Sequence, residues 1–298
     1  MSQDYNYEDY NVAVITALDY EMSAFRYMLD KEHPTLPTKE GDTNMYILGE
    51  YNGHNIVIAC LPGNQGKGAA GIASTNLNRT FPCVAWRFLI GIGGAVPSFE
   101  HDIRLGDVVI SMPEGVHGGV VQYDFGKDLE DEFNIKGFLV PPPTLLRNVV
   151  QVMKSNHLLQ DNKVDEFISL MTKKSKRLSI FKRPSESLQP DILYAADYLH
   201  IAGERTCANC NKSRANDVWH YYAAAAAAAA GKEMLSYLTP INRSSGTAAS
   251  GASSSSQKVP SAVDSWMGSR NEFSGVGIQQ TGSGTISFGR DATISGRY

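Results

Sequence analysis

Apolar residues in the first half of this chain fall in short runs separated by stretches with helical spacing. Val12–Thr16 (VAVIT) is almost continuously apolar, the pattern of a strand buried on both faces. Residues 19–30 then place Met22, Phe25, Arg26 and Leu29 at helical intervals, which predicts a helix. Residues 44–51 and 55–61 predict a hairpin turning at Asn52-Gly53, a strong two-residue turn signal. A glycine-rich loop, 63–71, leads into a helix of small residues ending near Arg79. Two further buried strands are predicted at Phe88, Leu89 and Ile90, and at Val108, Val109 and Ile110. Residues 141–182 turn helical, with Leu145, Val149, Met153, Phe167 and Leu170 supplying apolar faces. The eight-alanine run inside 219–238 predicts a helix of high propensity packed closely on a sheet. Strand–helix–strand order with buried β-branched runs predicts an α/β fold: a mixed, twisted central sheet flanked by helices on both faces.

Composition shifts sharply after Pro240. The expected organisation is a disordered N-terminus over 1–10, one α/β domain over 11–240, a flexible linker over 241–270 and a β-prone tail over 271–298. Within the tail, TISF (285–288) and ATIS (292–295) flank Gly289-Arg290-Asp291. So short a piece reads either as a disordered polar tail or as a segment that stacks on copies of itself. The 298 residues carry 27 basic and 31 acidic side chains, net −4, which gives no sign of a nucleic-acid or polybasic membrane surface. The basic run 173–183 reads as solvated surface. No secretory signal pattern opens the chain and no apolar run is long enough for a bilayer, so the expected compartment is the cytoplasm, by default. Cys60 and Cys83 read as ordinary reduced thiols. Cys207 and Cys210 form one CxxC with His200 upstream, three ligands where zinc needs about four, so no metal is expected.

The candidate chemistry begins at Gly91, Gly93 and Gly94, straight after a strand. Without a Cβ, backbone N–H groups there can approach an anion or a polar ring. Gly63, Gly66 and Lys67 offer a second cradle at a helix start, equally readable as a plain turn because GNQGK lacks the P-loop spacing. Glu21 stands in a first helical turn, where a glutamate is also favoured by the helix dipole alone.

Four segments in order resemble the nucleoside phosphorylase and nucleosidase superfamily in its fungal branch. They are VAVITALDYEMSAF (12–25), the 88–111 stretch with GGVVQYDFGK (118–127), LYAADYLHIAGERTCANC (193–210), and WHYYAAAAAAAAGKEMLSYL (219–238). The resemblance implies a twisted sheet flanked by helices, assembly into homo-oligomers, and cleavage of a nucleoside N-glycosidic bond by phosphate or water. It makes a (purine) nucleoside the partner and needs no cofactor, with inorganic phosphate admitted as co-substrate. It also implies that Glu21 orients the attacking water. Gly91, Gly93 and Gly94 would border the sugar and base, and Gln122, Tyr123 and Phe125 would line the pocket; strand-edge packing is the alternative for these last three. Ile92 departs from the family, which often places a serine there to bind phosphate or a ribose oxygen.

The resemblance also exposes a gap. Within a family insertion at about 141–213, the text passes from CANCNKSR to ANDVWHYYA, and core strands are missing near 214–217. The Glu-Met-Glu run that grips the ribose and the late aspartate that serves the leaving base are absent, and Asp217 does not replace the latter. The implied function is therefore a nucleoside phosphorylase-like protein whose own activity is in doubt. The alternative is a catalytically weak or dead signalling effector of fungal receptor-type immunity, assembled or paired with a receptor through 271–298.

Overall fold

The computed structural model describes residues 5–95, 102–130, 133–185 and 219–241. The CxxC, His200, the junction at 214–217 and the tail over 271–298 lie outside the described residues, as does the linker beyond Ile241.

Among the described residues the strands and α-helices follow in the order β1 (Val12–Thr16), α1 (Asp19–Arg26), β2 (Lys31–Glu32), β3 (Tyr46–Tyr51), β4 (His54–Cys60), α2 (Lys67–Thr80), β5 (Trp86–Leu89), β6 (Gly126–Asp128), β7 (Phe133–Ile135), α3 (Thr144–His157), α4 (Val164–Lys173) and α5 (Trp219–Ser236). Five strands form a mixed sheet in the order β2-β3-β4-β1-β5. β1 lies parallel to both β4 and β5, while β3 runs antiparallel to β2 and β4. All five residues of β1 are buried, as a central parallel strand requires. The β3–β4 hairpin turns at Asn52 (φ 50°) and Gly53 (φ 78°), the paired positive φ that suits the strand twist and that Asn-Gly supplies.

The alternation of β1 and β4 separates two apolar layers. Val12, Val14, Ile56, Ile58 and Phe88 face one layer, with α1, α3, α4 and α5. Ala13, Ile15, Val57 and Ala59 face the other, with Leu77 of α2 and Phe81. Helices thus cover both faces, as the sequence pattern predicts. The alanine helix differs from expectation in its neighbours. It packs mainly along α1, with α3 and α4 beside it, and touches the sheet where Ile90 fills the space a Cβ on Gly231 would take.

Several expectations need correction. α1 ends at Arg26, four residues short of the predicted helix. The carbonyls of the turn that follows it accept from two lysines, Lys174 Nζ on Tyr27 and Leu29 (2.8 and 3.1 Å) and Lys232 Nζ on Met28 (2.7 Å), cations beside the negative end of the helix dipole. The chain is then free to pair as β2. Leu145 and Leu170 point outward; Leu146, Val149, Val150 and Met153 of α3, and Phe167, Ile168 and Met171 of α4, form the buried faces. Val108 and Ile110 are buried but belong to no strand among the described residues. Burial here comes from packing under the last helix, where a Cβ on Gly106 would stand 2.5 Å from Tyr222. An apolar run records burial, not a ladder.

The amino ends of β1 and β4 hold the turn after α5. Asn11 Nδ2 donates to the Ile241 carbonyl (3.3 Å), and His54 Nε2 meets the Leu238 carbonyl (3.1 Å).

Candidate functional site

Strand order places a topological switch point at the carboxyl end of β1. From β1 the chain passes over one face through α1 and arrives at β4 on one side. From β4 it passes over the opposite face through α2 and arrives at β5 on the other side. The two connections diverge at β1, and in open α/β sheets such a switch point leaves a cleft outside the strand ends where ligands bind.

Glu21 lies at that switch point, in the first turn of α1 straight after β1. It is the third residue of α1 and reaches back so that Oε2 accepts from the N–H groups of Ala17 and Leu18 (2.8 and 2.9 Å), the glutamate half of a capping box. Its Oε1 accepts from the Ile92 N–H (2.7 Å), beyond the end of β5. One side chain of 2% exposure thereby ties the loops following two neighbouring parallel strands. A carboxylate offers about four acceptor sites; three are filled, so one remains for a water or a hydroxyl.

Gly91 is the floor beneath this carboxylate. A Cβ there would stand 2.7 Å from Oε1, so the close approach itself requires glycine. Gly93 is buried and Gly94 half-buried on the same loop. Burial pushes the Glu21 carboxyl above its usual range; the N–H groups of Ile92, Leu18 and Ala17 pull it back, and Asp19 adds a smaller upward push. A buried acid in a cleft whose protonation is displaced by its surroundings is a functional candidate on physical grounds.

On the β4 side, Cys60 closes the strand opposite Thr16. Burial raises its thiol, a hydrogen bond with Thr16 opposes this, and the charges of Glu21 and Asp19 raise it further. It therefore stands at the same strand ends as a protonated thiol within the field of Glu21. Sequence reasoning passed over it as an ordinary cysteine; its position as the last residue of the strand paired with β1 was the available signal.

Gln122 and Phe125 belong to a different segment. Lys67, the first residue of α2, pairs its ammonium with the Asp124 carboxylate, which moors residues 122–125 to the loop leaving β4. Gln122 is half-buried, and Tyr123 and Phe125 are each 55% exposed. The structure thus brings Glu21 together with Gly91 and Ile92, and holds Gln122 and Phe125 through α2. The glycine-rich loop at 63–66 ends with its nearest cation already matched by Asp124. Among the described residues no group of three His, Cys, Asp or Glu side chains is arranged for a metal ion, and no helix is long and apolar enough to cross a membrane.

No protein-family profile matches the chain. A nucleotide-binding leucine-rich repeat (NLR)-like protein of Hyaloscypha variabilis is 41% identical over 153 residues, 51% of this chain. The match spans only 15% of that relative's length. Among solved structures, a Neisseria meningitidis 5'-methylthioadenosine/S-adenosylhomocysteine nucleosidase bound to methylthio-immucillin-A is 16% identical, with a TM-score of 0.42, over 76% of this chain and 99% of its own. Futalosine hydrolase of Helicobacter pylori is 16% identical, with a TM-score of 0.36, over 50% of this chain and 59% of its own.

Proposed function

We propose that this chain is a nucleoside-binding domain of the N-glycosidase type, with the cleft at the end of β1 as its ligand site and water as its nucleophile. The carrying observation is the Glu21 carboxylate, buried, held by three N–H groups and left with one open acceptor position. A water bound there is oriented and can pass a proton to the carboxylate as it attacks the anomeric carbon. The four motif segments that resemble nucleoside phosphorylases and nucleosidases include both loops that meet at this carboxylate.

Three features favour water over phosphate. Asp19 adds to the negative field around Glu21, the Lys67 ammonium is matched by Asp124, and Ile92 offers only its N–H, which Glu21 takes. A phosphate dianion would meet like charge from Glu21 and Asp19 there. The ribose-gripping acid and the acid for the leaving base have no counterpart in the sequence. Lack of a general acid typically costs about 10²–10⁴-fold in rate, so slow turnover is expected.

The test is release of free base from adenosine, inosine and guanosine by purified protein, with and without phosphate, beside Glu21→Gln. Release that is independent of phosphate and lost in Glu21→Gln supports the reading. Release that requires phosphate, or no release and no nucleoside binding by calorimetry at high protein concentration, overturns it.

A second reading is supported by the NLR-like relative, in which the matched segment is a small part of a much longer protein. Here the domain serves as an effector module of a receptor system, recruited through the Ser/Gly-rich stretch and the β-prone tail. A peptide of residues 271–298 that forms no fibres and seeds none argues against that recruitment. The two readings are compatible, since a tail can assemble copies of a slow enzyme.

A further inference from the structure

Residues 114–130 and 133–140 belong to an arm apart from the main sheet. It starts at an isolated bridge between Glu114 and His117 and carries the β6–β7 ribbon, a separate two-stranded sheet. Every residue of both strands is exposed. Phe133 and Ile135 are 42% and 40% exposed, with Phe138 at 75% close by. A two-stranded ribbon alone is marginal in water, and its outer edges present unpaired backbone groups.

The two edges are not equivalent. Gly126 pairs with Ile135, Lys127 with Asn134 and Asp128 with Phe133, and the Lys136 N–H donates to the Phe125 carbonyl (2.8 Å). Bonded and non-bonded pairs alternate in an antiparallel ladder. Lys127–Asn134 is therefore a bonded pair, and the N–H and C=O groups of Phe133 and Ile135 point outward from β7. On β6 the outward residues are Gly126 and Asp128.

Consider each edge against its own copy, related by a two-fold axis perpendicular to the ribbon. On β6, centring on Lys127 sets Lys127 against Lys127, and centring on Asp128 sets Asp128 against Asp128. Centring on Gly126 sets Gly126 against itself, with no side chain to pack. Directly opposed like charges destabilise the first two registers. On β7, centring on Asn134 sets Phe133 against Ile135 twice, on one face. These are the outward-pointing residues, so both pairs exchange both backbone bonds, and aromatic against β-branched is a favourable cross-strand pair.

We infer that β7 is a self-pairing edge, through which a second copy of this chain adds its own ribbon antiparallel about Asn134 to make a four-stranded sheet. The ribbon grows from the segment that Lys67 and Asp124 moor beside the cleft, so the pairing joins two copies on the ligand-bearing side of each. The contact is small, and the dimer is expected to be weak and concentration-dependent.

The test uses the whole chain with its four cysteines replaced by serine. On the axis, Asn134 faces its own copy as a non-bonded pair, about 4.5 Å between Cα atoms, within disulfide reach. Asn134→Cys is expected to form a disulfide-linked dimer on mild oxidation, while Lys127→Cys on β6, the outer strand of the four-stranded sheet, stays monomeric. In the otherwise native chain, Ile135→Lys, checked for an unchanged melting curve, should weaken dimerisation in sedimentation by about tenfold or more. Equal cross-linking of Asn134→Cys and Lys127→Cys, a dimer indifferent to Ile135→Lys, or a monomer at the highest soluble concentration overturns the inference.

Discussion

Replacing Gly91 by alanine tests the contact on which the candidate site depends. The added methyl would stand 2.7 Å from Glu21 Oε1, 3.0 Å from Cδ and 3.1 Å from Oε2. Two responses are open to the chain. The surroundings shift to admit the methyl, at about 1–3 kcal/mol for overpacking a tight interior. Alternatively, the carboxylate swings aside and gives up the Ile92 N–H, a bond to a charged acceptor worth about 1.5–3 kcal/mol. The cheaper route sets the outcome, so Gly91→Ala should cost about 2 kcal/mol, read as a lower urea midpoint with an unchanged slope. The backbone itself raises no objection, because Gly91 is absent from the glycines of positive φ. All of the cost should therefore come from Glu21. In a Glu21→Ala background the methyl meets no carboxylate, and its cost should fall below about 0.5 kcal/mol, a coupling that a double-mutant cycle measures directly. Equal costs in the two backgrounds would refute the reasoning, since the penalty would then reside in the backbone and not in the carboxylate.

Two further outcomes follow from the packing. Burial holds His54 below its ordinary value against the pull of the Leu238 and Leu235 carbonyls, and burial likewise lowers His33 against the pull of Glu50. Each contributes stability that is present above about pH 6.5 and lost as pH falls through its folded value, with a slope of at most about 1.4 kcal/mol per pH unit per histidine; His54→Gln should flatten that slope between pH 7.5 and 5 in urea titrations, and an unchanged slope would count against it. Ala226 is fully buried in α5, so Ala226→Leu should destabilise by about 1–3 kcal/mol, and a thermal midpoint equal to that of the parent would show that the helix has room to spare.

Much of the central sheet was readable because its signals were local. VAVIT could only be a strand buried on both sides, and Asn52-Gly53 fixed the hairpin register, since positive φ at two successive residues is written in those two side chains. What required tertiary context was harder to read. Val108 and Ile110 look like a strand because burial and pairing leave the same apolar trace. Leu145 and Leu146 are chemically equivalent, so only the packed helix tells which one turns inward. The β6–β7 ribbon carries its apolar alternation over only three residues, Phe133-Asn134-Ile135, too short a run to read as a strand. Glu21 could be singled out by its place after β1, but its bond to Ile92, 71 residues away, belongs to strand order and not to any local pattern.

The turn after α5 has a consequence for tethering. Asn11 and His54 grip it at the amino ends of β1 and β4, whereas Glu21 lies past the carboxyl end of β1. Five residues of strand separate the two, about 16 Å at the usual rise. Whatever is joined after Ile241 therefore departs from the far rim of the sheet. A body recruited by that extension can be held without standing in the doorway of the cleft, and occupancy at one end need not displace a partner at the other.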